Sequence, residues 1–142
     1  AEANWRGVAL KTMLHDELAP YREMDDGTIT FTGPPVPLTP RAAVILGMAF
    51  HELATNASKY GALSRRSGRL DVSWTIDGPS LVTRWHEMGG PAVAEPKHTG
   101  FGRMLIERAL TSDLCSSVKL QFEGDGVTCE MVLPLDRSIA TG

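Results

Sequence analysis

The chain has 142 residues, about one domain's worth, and its 42% hydrophobic and 22% charged residues are ordinary globular usage, which excludes a disordered or fibrous chain. Against 17 Asp and Glu stand 14 Lys and Arg, a net charge of −3, so there is no overall positive field to hold a nucleic-acid backbone. No apolar run approaches the roughly 18 residues of a membrane span.

Residues 5–18 carry Val8, Leu10, Met13, Leu14 and Leu18 at three- and four-residue steps, which predicts an amphipathic helix ended by Pro20. Asp25-Asp26-Gly27 has turn chemistry, and residues 28–32 alternate as a short hairpin or edge strand. Gly33-Pro34-Pro35-Val36-Pro37 predicts a linker, because its three prolines remove three backbone donors. Thr39 then caps a helix with Pro40 at its first position, running to about Tyr60 and stopping at Gly61. Residues 69–77 alternate as a half-buried strand, Asp77-Gly78-Pro79-Ser80 turns the chain, and residues 81–87 return antiparallel. A Gly- and Pro-rich loop over 89–100 leads to a helix over 101–110. Val118, Leu120 and Phe122 and then residues 127–133 form a closing hairpin, after which the tail 135–142 is expected to fray. This order has too few βαβ units for a doubly wound sheet. It predicts one α/β (α+β) domain over 1–142, a two-layer sandwich whose mixed, largely antiparallel sheet of about five strands carries three helices on one face.

Cys115 and Cys129 lack Cys-x-x-Cys spacing and read as buried thiols in a reducing cytoplasm. The chain opens on Ala1 and a helical pattern, with no charged-then-apolar leader, and reads as a piece of something longer.

Three stretches carry chemistry. In His51-Glu52-Leu53-Ala54-Thr55-Asn56-Ala57-Ser58-Lys59-Tyr60, a helical turn of about 100° per residue puts Glu52, Asn56 and Lys59 on one face. That face adjoins the apolar stripe of Ala42, Leu46, Ala49, Phe50, Leu53, Ala57 and Tyr60. A carboxylate, a carboxamide and an ammonium at such an edge suit a metal-bound polyphosphate, although plain solvation of the helix would need the same residues. Zinc peptidase chemistry is rejected, since Thr55 stands where the second His belongs. The second stretch, Thr99-Gly100-Phe101-Gly102, opens a helix; its backbone N–H groups could approach an anion closely, or it is an ordinary flexible entry. The third, Trp85-His86-Glu87-Met88-Gly89-Gly90-Pro91, ends a strand, and alternation puts Leu81, Trp85 and Glu87 on one side. An acid at the lip of an apolar face needs a partner; a purine amino group is one, with Gly89 leaving room for a flat ring, and an exposed strand-end carboxylate is the alternative.

Taken jointly, these stretches resemble the ATP-binding domain of sensor histidine kinases, most of all the HWE family, named for a His in the N box and a Trp-x-Glu in the G1 box. The matching residues are His51, within the segment 51–64, and Trp85 with Glu87; the match runs over about 18–134. The resemblance implies a Bergerat fold that binds Mg-ATP and passes the γ-phosphoryl group to a His on a dimerisation domain outside this chain. A response regulator would follow downstream, with no nucleic-acid or membrane contact. It implies that Asn56 coordinates magnesium, that Glu52 lies by the γ-phosphate or acts as a base beside the signature His51, and that Lys59 contacts phosphates. Glu87 is implied as the adenine-recognising acid and Gly89 as the first glycine of the G1 box, with Pro91 replacing the second. Gly100 and Gly102 match the G2 box, residues 92–99 make a short ATP lid, and Tyr60, Gly90, Thr99, Phe101 and Leu105 complete the nucleotide surroundings.

The sequence also departs from the family pattern. Val127 stands where many relatives carry Thr, and Thr128 should point to the other face. No His has the context of a phosphoacceptor: His15 reads as a solvated helix residue, His86 as exposed, and His98 as part of the lid. Trp5 and Trp74 read as packing residues, and Arg65-Arg66 as surface charge. The rival functions are a nucleotide-binding switch without transfer activity and a Bergerat-fold protein-serine kinase.

Overall fold

The computed structural model of the chain describes residues 8–22, 28–91, 117–124 and 126–139. β1 (Val8–Ala9) runs directly into α1 (Leu10–Leu18). The helix therefore starts at Leu10 and not at residue 5: Ala9 is extended, and Val8 and Ala9 pair antiparallel with Leu38 and Pro37. After β2 (Ile29–Thr32), the proline-rich stretch is more than a linker, because its last residue opens β3 (Pro37–Leu38). Proline removes only the donor, and the carbonyls still accept. The Leu10 amide donates to the Val36 carbonyl at 2.9 Å, and the Trp74 indole N–H donates to Pro34 at 2.7 Å.

α2 (Pro40–Tyr60) begins as predicted, with the Thr39 hydroxyl accepting from the Ala42 amide at 3.2 Å. It is followed by β4 (Arg69–Asp77), β5 (Ser80–Met88), β6 (Ser117–Glu123) and β7 (Gly126–Pro134). The five-stranded sheet has the order β2-β4-β5-β7-β6. Only β2 with β4 is parallel; the other neighbours are antiparallel. A parallel neighbour needs a long crossover, and α2 supplies it.

Both long helices pack on one face of the sheet. Leu10, Leu14 and Leu18 of α1 and Leu46, Phe50 and Leu53 of α2 share a core with Val72, Trp74, Trp85 and Met131 of the strands. Burying each large apolar side chain contributes roughly 1.5–3 kcal/mol. The other face of the sheet is polar, with Thr30, Asp71, Ser73, Arg84 and His86 on a shallow open surface. The two-layer, mixed and largely antiparallel architecture is thus the predicted one. The helix predicted over 101–110 lies outside the described residues, as do Trp5, His98 and Cys115. Cys129 is buried in the core.

Three further expectations are corrected. Tyr60 leaves the apolar stripe and is 45% exposed, while Ala54 is buried in it; a helical angle does not report where the opposing layer ends. The tail does not fray directly after Pro134. A helical turn, Leu135–Ser138, follows, the Leu135 amide donates to the Pro79 carbonyl at 2.9 Å, and Ile139 bridges to Leu38. His15 is half-buried: its ring meets Phe31 edge-on at 4.6 Å, and its Nδ1 lies 2.7 Å from Arg22 Nη1. Among the described residues, no helix is long and apolar enough to cross a membrane.

Candidate active site

The second half of α2 presents Glu52 and Asn56 one turn apart, both half-buried, with Lys59 exposed on the last turn. His51 does not join them. It lies about 140° around the helix from Asn56, its side chain is 67% exposed, and its Nδ1 is 3.4 Å from Glu17 Oε2 on α1. Glu52 and His51 rim an apolar groove of about 590 Å³ between α1 and α2, lined also by Val8, Met13, Val44 and Met48.

The residues that the fold does bring together are the end of α2 and the end of β5. Glu87 is 3% exposed, on the helix-facing side of the sheet with Trp85. Its Oε2 accepts from the Trp85 indole N–H at 2.9 Å, and its Oε1 accepts from the Ala62 amide at 3.1 Å. Trp85 is completely buried, its ring stacked on Phe50 at 6.1 Å with an 18° interplanar angle. Burial pushes the Glu87 carboxyl above the ordinary glutamate range, and the two N–H donors oppose that rise. Glu87 is therefore neither an exposed strand-end acid nor an unsatisfied one awaiting a ligand. Each oxygen has an internal donor and keeps a lone pair for another.

Two glycines make this junction possible. A Cβ on Gly61 would run into Glu87 Oε1, so the glycine that ends α2, where the sequence places the stop, is required for room. Gly89 has φ +71°, and a Cβ there would collide with the Ser67 carbonyl oxygen. Glycine at this position lets the backbone of residues 67–68 approach that of residue 89. The Ser67 hydroxyl donates back to the Gly89 carbonyl at 2.9 Å, and Gly90 packs against the Gly61-Ala62 backbone.

The sequence reading missed the Ala62 amide and the closure of the Trp85–Glu87 bond. The latter had a signal, since residues two apart on a strand share a face; the former had none, because any residue supplies a backbone N–H. Thr99, Gly100, Phe101, Gly102 and Leu105 lie outside the described residues. Val127 and Thr128 alternate as expected: Thr128 pairs with His86 and Gln121, whereas Val127 shares the parity of buried Cys129.

The described residues contain no group of three or more His, Cys, Asp or Glu able to hold a metal unaided. Magnesium carried by a nucleotide needs only one or two protein oxygens, because phosphates and water supply the rest. The carboxamide of Asn56 and the carboxylate of Glu52, a turn apart and half-buried, fit that demand.

No family model matches the chain. A blue-light-activated histidine kinase of Erythrobacter litoralis is 36% identical over 137 residues, which is 94% of this chain and 38% of that protein. A blue-light-activated histidine kinase of Brucella ovis is 32% identical over 143 residues, 98% of this chain and 29% of that protein. The chain thus spans about a third of the length of these relatives. Among solved structures, the histidine kinase domain of the Erythrobacter litoralis EL346 kinase superposes with a TM-score of 0.73 at 17% identity, over 92% of this chain and 63% of that one. The mycobacterial sensor histidine kinase MprB superposes with a TM-score of 0.69 at 16% identity, over 94% and 97%. These structural likenesses carry the fold, and the sequence relatives carry the family. The chain belongs to the histidine kinase family and has the fold of histidine kinase catalytic domains, and its His51 with Trp85-x-Glu87 is consistent with the HWE branch.

Proposed function

We propose that the chain binds Mg-ATP and presents its γ-phosphoryl group to a histidine on a dimerisation domain outside this chain, as the cytoplasmic catalytic step of a two-component relay ending in a response regulator. The observation that carries this reading is the buried Glu87 carboxylate, hydrogen-bonded across to the end of the helix bearing Glu52, Asn56 and Lys59, in a chain 36% identical to a histidine kinase.

Each residue has a task in this reading. Glu87 accepts from the 6-amino group of adenine through a lone pair that Trp85 and Ala62 leave open. Asn56 offers its carboxamide oxygen to magnesium, which when bound neutralises charge on the phosphates. Lys59 reaches a phosphate as a point charge on a flexible stem. Glu52 accepts the proton that the acceptor imidazole sheds once its nitrogen bonds phosphorus. Tyr60 and Gly90 border the base, and Thr99, Gly100, Phe101, Gly102 and Leu105 supply backbone N–H groups and apolar cover, with residues 92–99 as the lid. His51, held toward Glu17, acts at the α1 side and touches no phosphate.

Calorimetric titration with a non-hydrolysable ATP analogue tests the reading. The chain should give a magnesium-dependent heat, and Asn56→Ala should remove the magnesium dependence at a cost of about tenfold or more in affinity. Absence of any heat with adenine nucleotides overturns the proposal. With ATP alone the chain should not label itself, and label passed to a dimerisation domain supplied in trans should be acid-labile, as phosphohistidine is.

A further inference from the structure

We infer that Trp85 is a positioning residue for base selection: its indole N–H, together with the Ala62 amide, holds the Glu87 carboxylate as an outward-facing acceptor, so that the site takes a 6-amino purine in preference to a 6-oxo purine. This inference rests on the nucleotide-binding reading above and adds a determinant of specificity to it.

The geometry leaves the two donors no alternative. Trp85 is fully buried against Phe50, so its ring cannot rotate the N–H away from Glu87 Oε2 without losing its place in the core. The Ala62 amide is equally fixed, since it follows Gly61, where Glu87 itself fills the space of a side chain. Each carboxylate oxygen has two acceptor positions. One on each is taken by these two N–H groups, which leaves the other for a ligand. When Glu87 is ionised it therefore shows a ligand acceptors only. When it is neutral, the two inward N–H groups force its proton outward, and it shows a donor. The 6-amino group of adenine needs the acceptor; the 6-oxo group of hypoxanthine or guanine needs the donor. Protonation of one buried side chain thus decides which purine is matched.

Burial drives Glu87 toward the neutral form, and the Trp85 and Ala62 N–H groups drive it back. No neighbouring charge among the described residues contributes. Arg69 and Asp71 flank Leu70, the register partner of Glu87 on β4, and belong with Arg84 and His86 to the opposite face of the sheet; Glu130 of β7 pairs with Arg84 there. Lys59 and Tyr60, at the end of α2, are exposed. Among the described residues, the indole N–H is therefore one of two groups holding Glu87 in the acceptor form.

The test compares affinities for ADP and IDP by calorimetry between about pH 5 and 9. It uses the unmodified chain, Trp85→Phe, and a chain in which Trp85 is replaced site-specifically by its benzothiophene analogue. The analogue keeps the ring's shape and loses the N–H, so a failure of the phenylalanine variant to fold does not stop the test. In the unmodified chain, ADP affinity should fall as pH drops and Glu87 protonates, while IDP affinity should not. Without the N–H, that fall should begin at higher pH, and the ADP-to-IDP preference should shrink by about tenfold. A purely structural role for Trp85 would weaken both nucleotides alike and leave the pH midpoint and the preference unchanged; that result overturns the inference while the nucleotide-binding reading stands. If ADP fails to bind the unmodified chain at any pH, both fall together.

Discussion

Trp74 and Trp85 sit on neighbouring strands, face the same core and each donate an indole hydrogen bond, yet the two ends of the sheet they serve behave differently. Trp74 is 2% exposed and donates to the Pro34 carbonyl; its ring occupies the space that a Cβ on Gly33 would need. Trp85 donates to Glu87, and Glu87 occupies the space that a Cβ on Gly61 would need. The same device, a glycine beside an indole-bonded group, is used twice. At the Trp74 end the acceptor is a neutral carbonyl, and the bond fastens the proline-rich stretch to the sheet. At the Trp85 end the acceptor is a buried carboxylate, whose hydrogen bonds are worth more and whose charge answers to pH. One end is a fastening, and the other is a fastening that can titrate.

The largest expected effect is the loss of the Trp74 ring. Trp74→Ala should cost about 3–5 kcal/mol by denaturant unfolding, and the loss should be the same across pH, since neither the ring nor Pro34 titrates. A pH-dependent loss would erase the distinction between the two ends. Glu87→Gln sharpens the comparison from the other side. The folded pKa of Glu87 is raised, so its ionisation opposes folding: its contribution to stability is full below the ordinary glutamate pKa of about 4.3 and declines as pH rises through the folded value. The glutamine variant should lack that decline, flattening the stability profile above about pH 4.5, though its amide N–H₂ must face one of the two inward donors. Equal slopes in the two proteins would show that Glu87 titrates as an ordinary exposed acid. His51→Ala should have the smallest effect, within about 0.5 kcal/mol, because its contact with Glu17 is solvent-exposed. A larger loss would mean that the α1–α2 contact matters more than its exposure allows.

The strands were legible because one face of the sheet is covered and the other is open, so alternation was written into residues 69–77 and 81–87. α2 was legible from Thr39-Pro40 and from its apolar period. β1 and β3 were not, since a two-residue ladder carries no period and the relevant property of the prolines was the carbonyls they keep. At the site, the co-facing of Glu52 and Asn56 and of Trp85 and Glu87 followed from helix and strand geometry. The bond from Ala62 to Glu87 joins residues 25 apart through a main-chain amide that no residue type announces. What packs against Gly61 and Gly89 was not legible for a related reason. A glycine shows that something comes close, and only the fold shows what it is.

Leu38 pairs with Val8 and also bridges Ile139. Strand neighbours lie about 4.8 Å apart, which puts residues 8 and 139 about 10 Å from each other across one leucine. The first and last described residues thus meet on one two-residue strand, and the residue after that strand is Thr39, the cap of α2. A mechanical load applied between those two points would unzip this small clip first, leaving the broad sheet and its buried carboxylate out of the line of force.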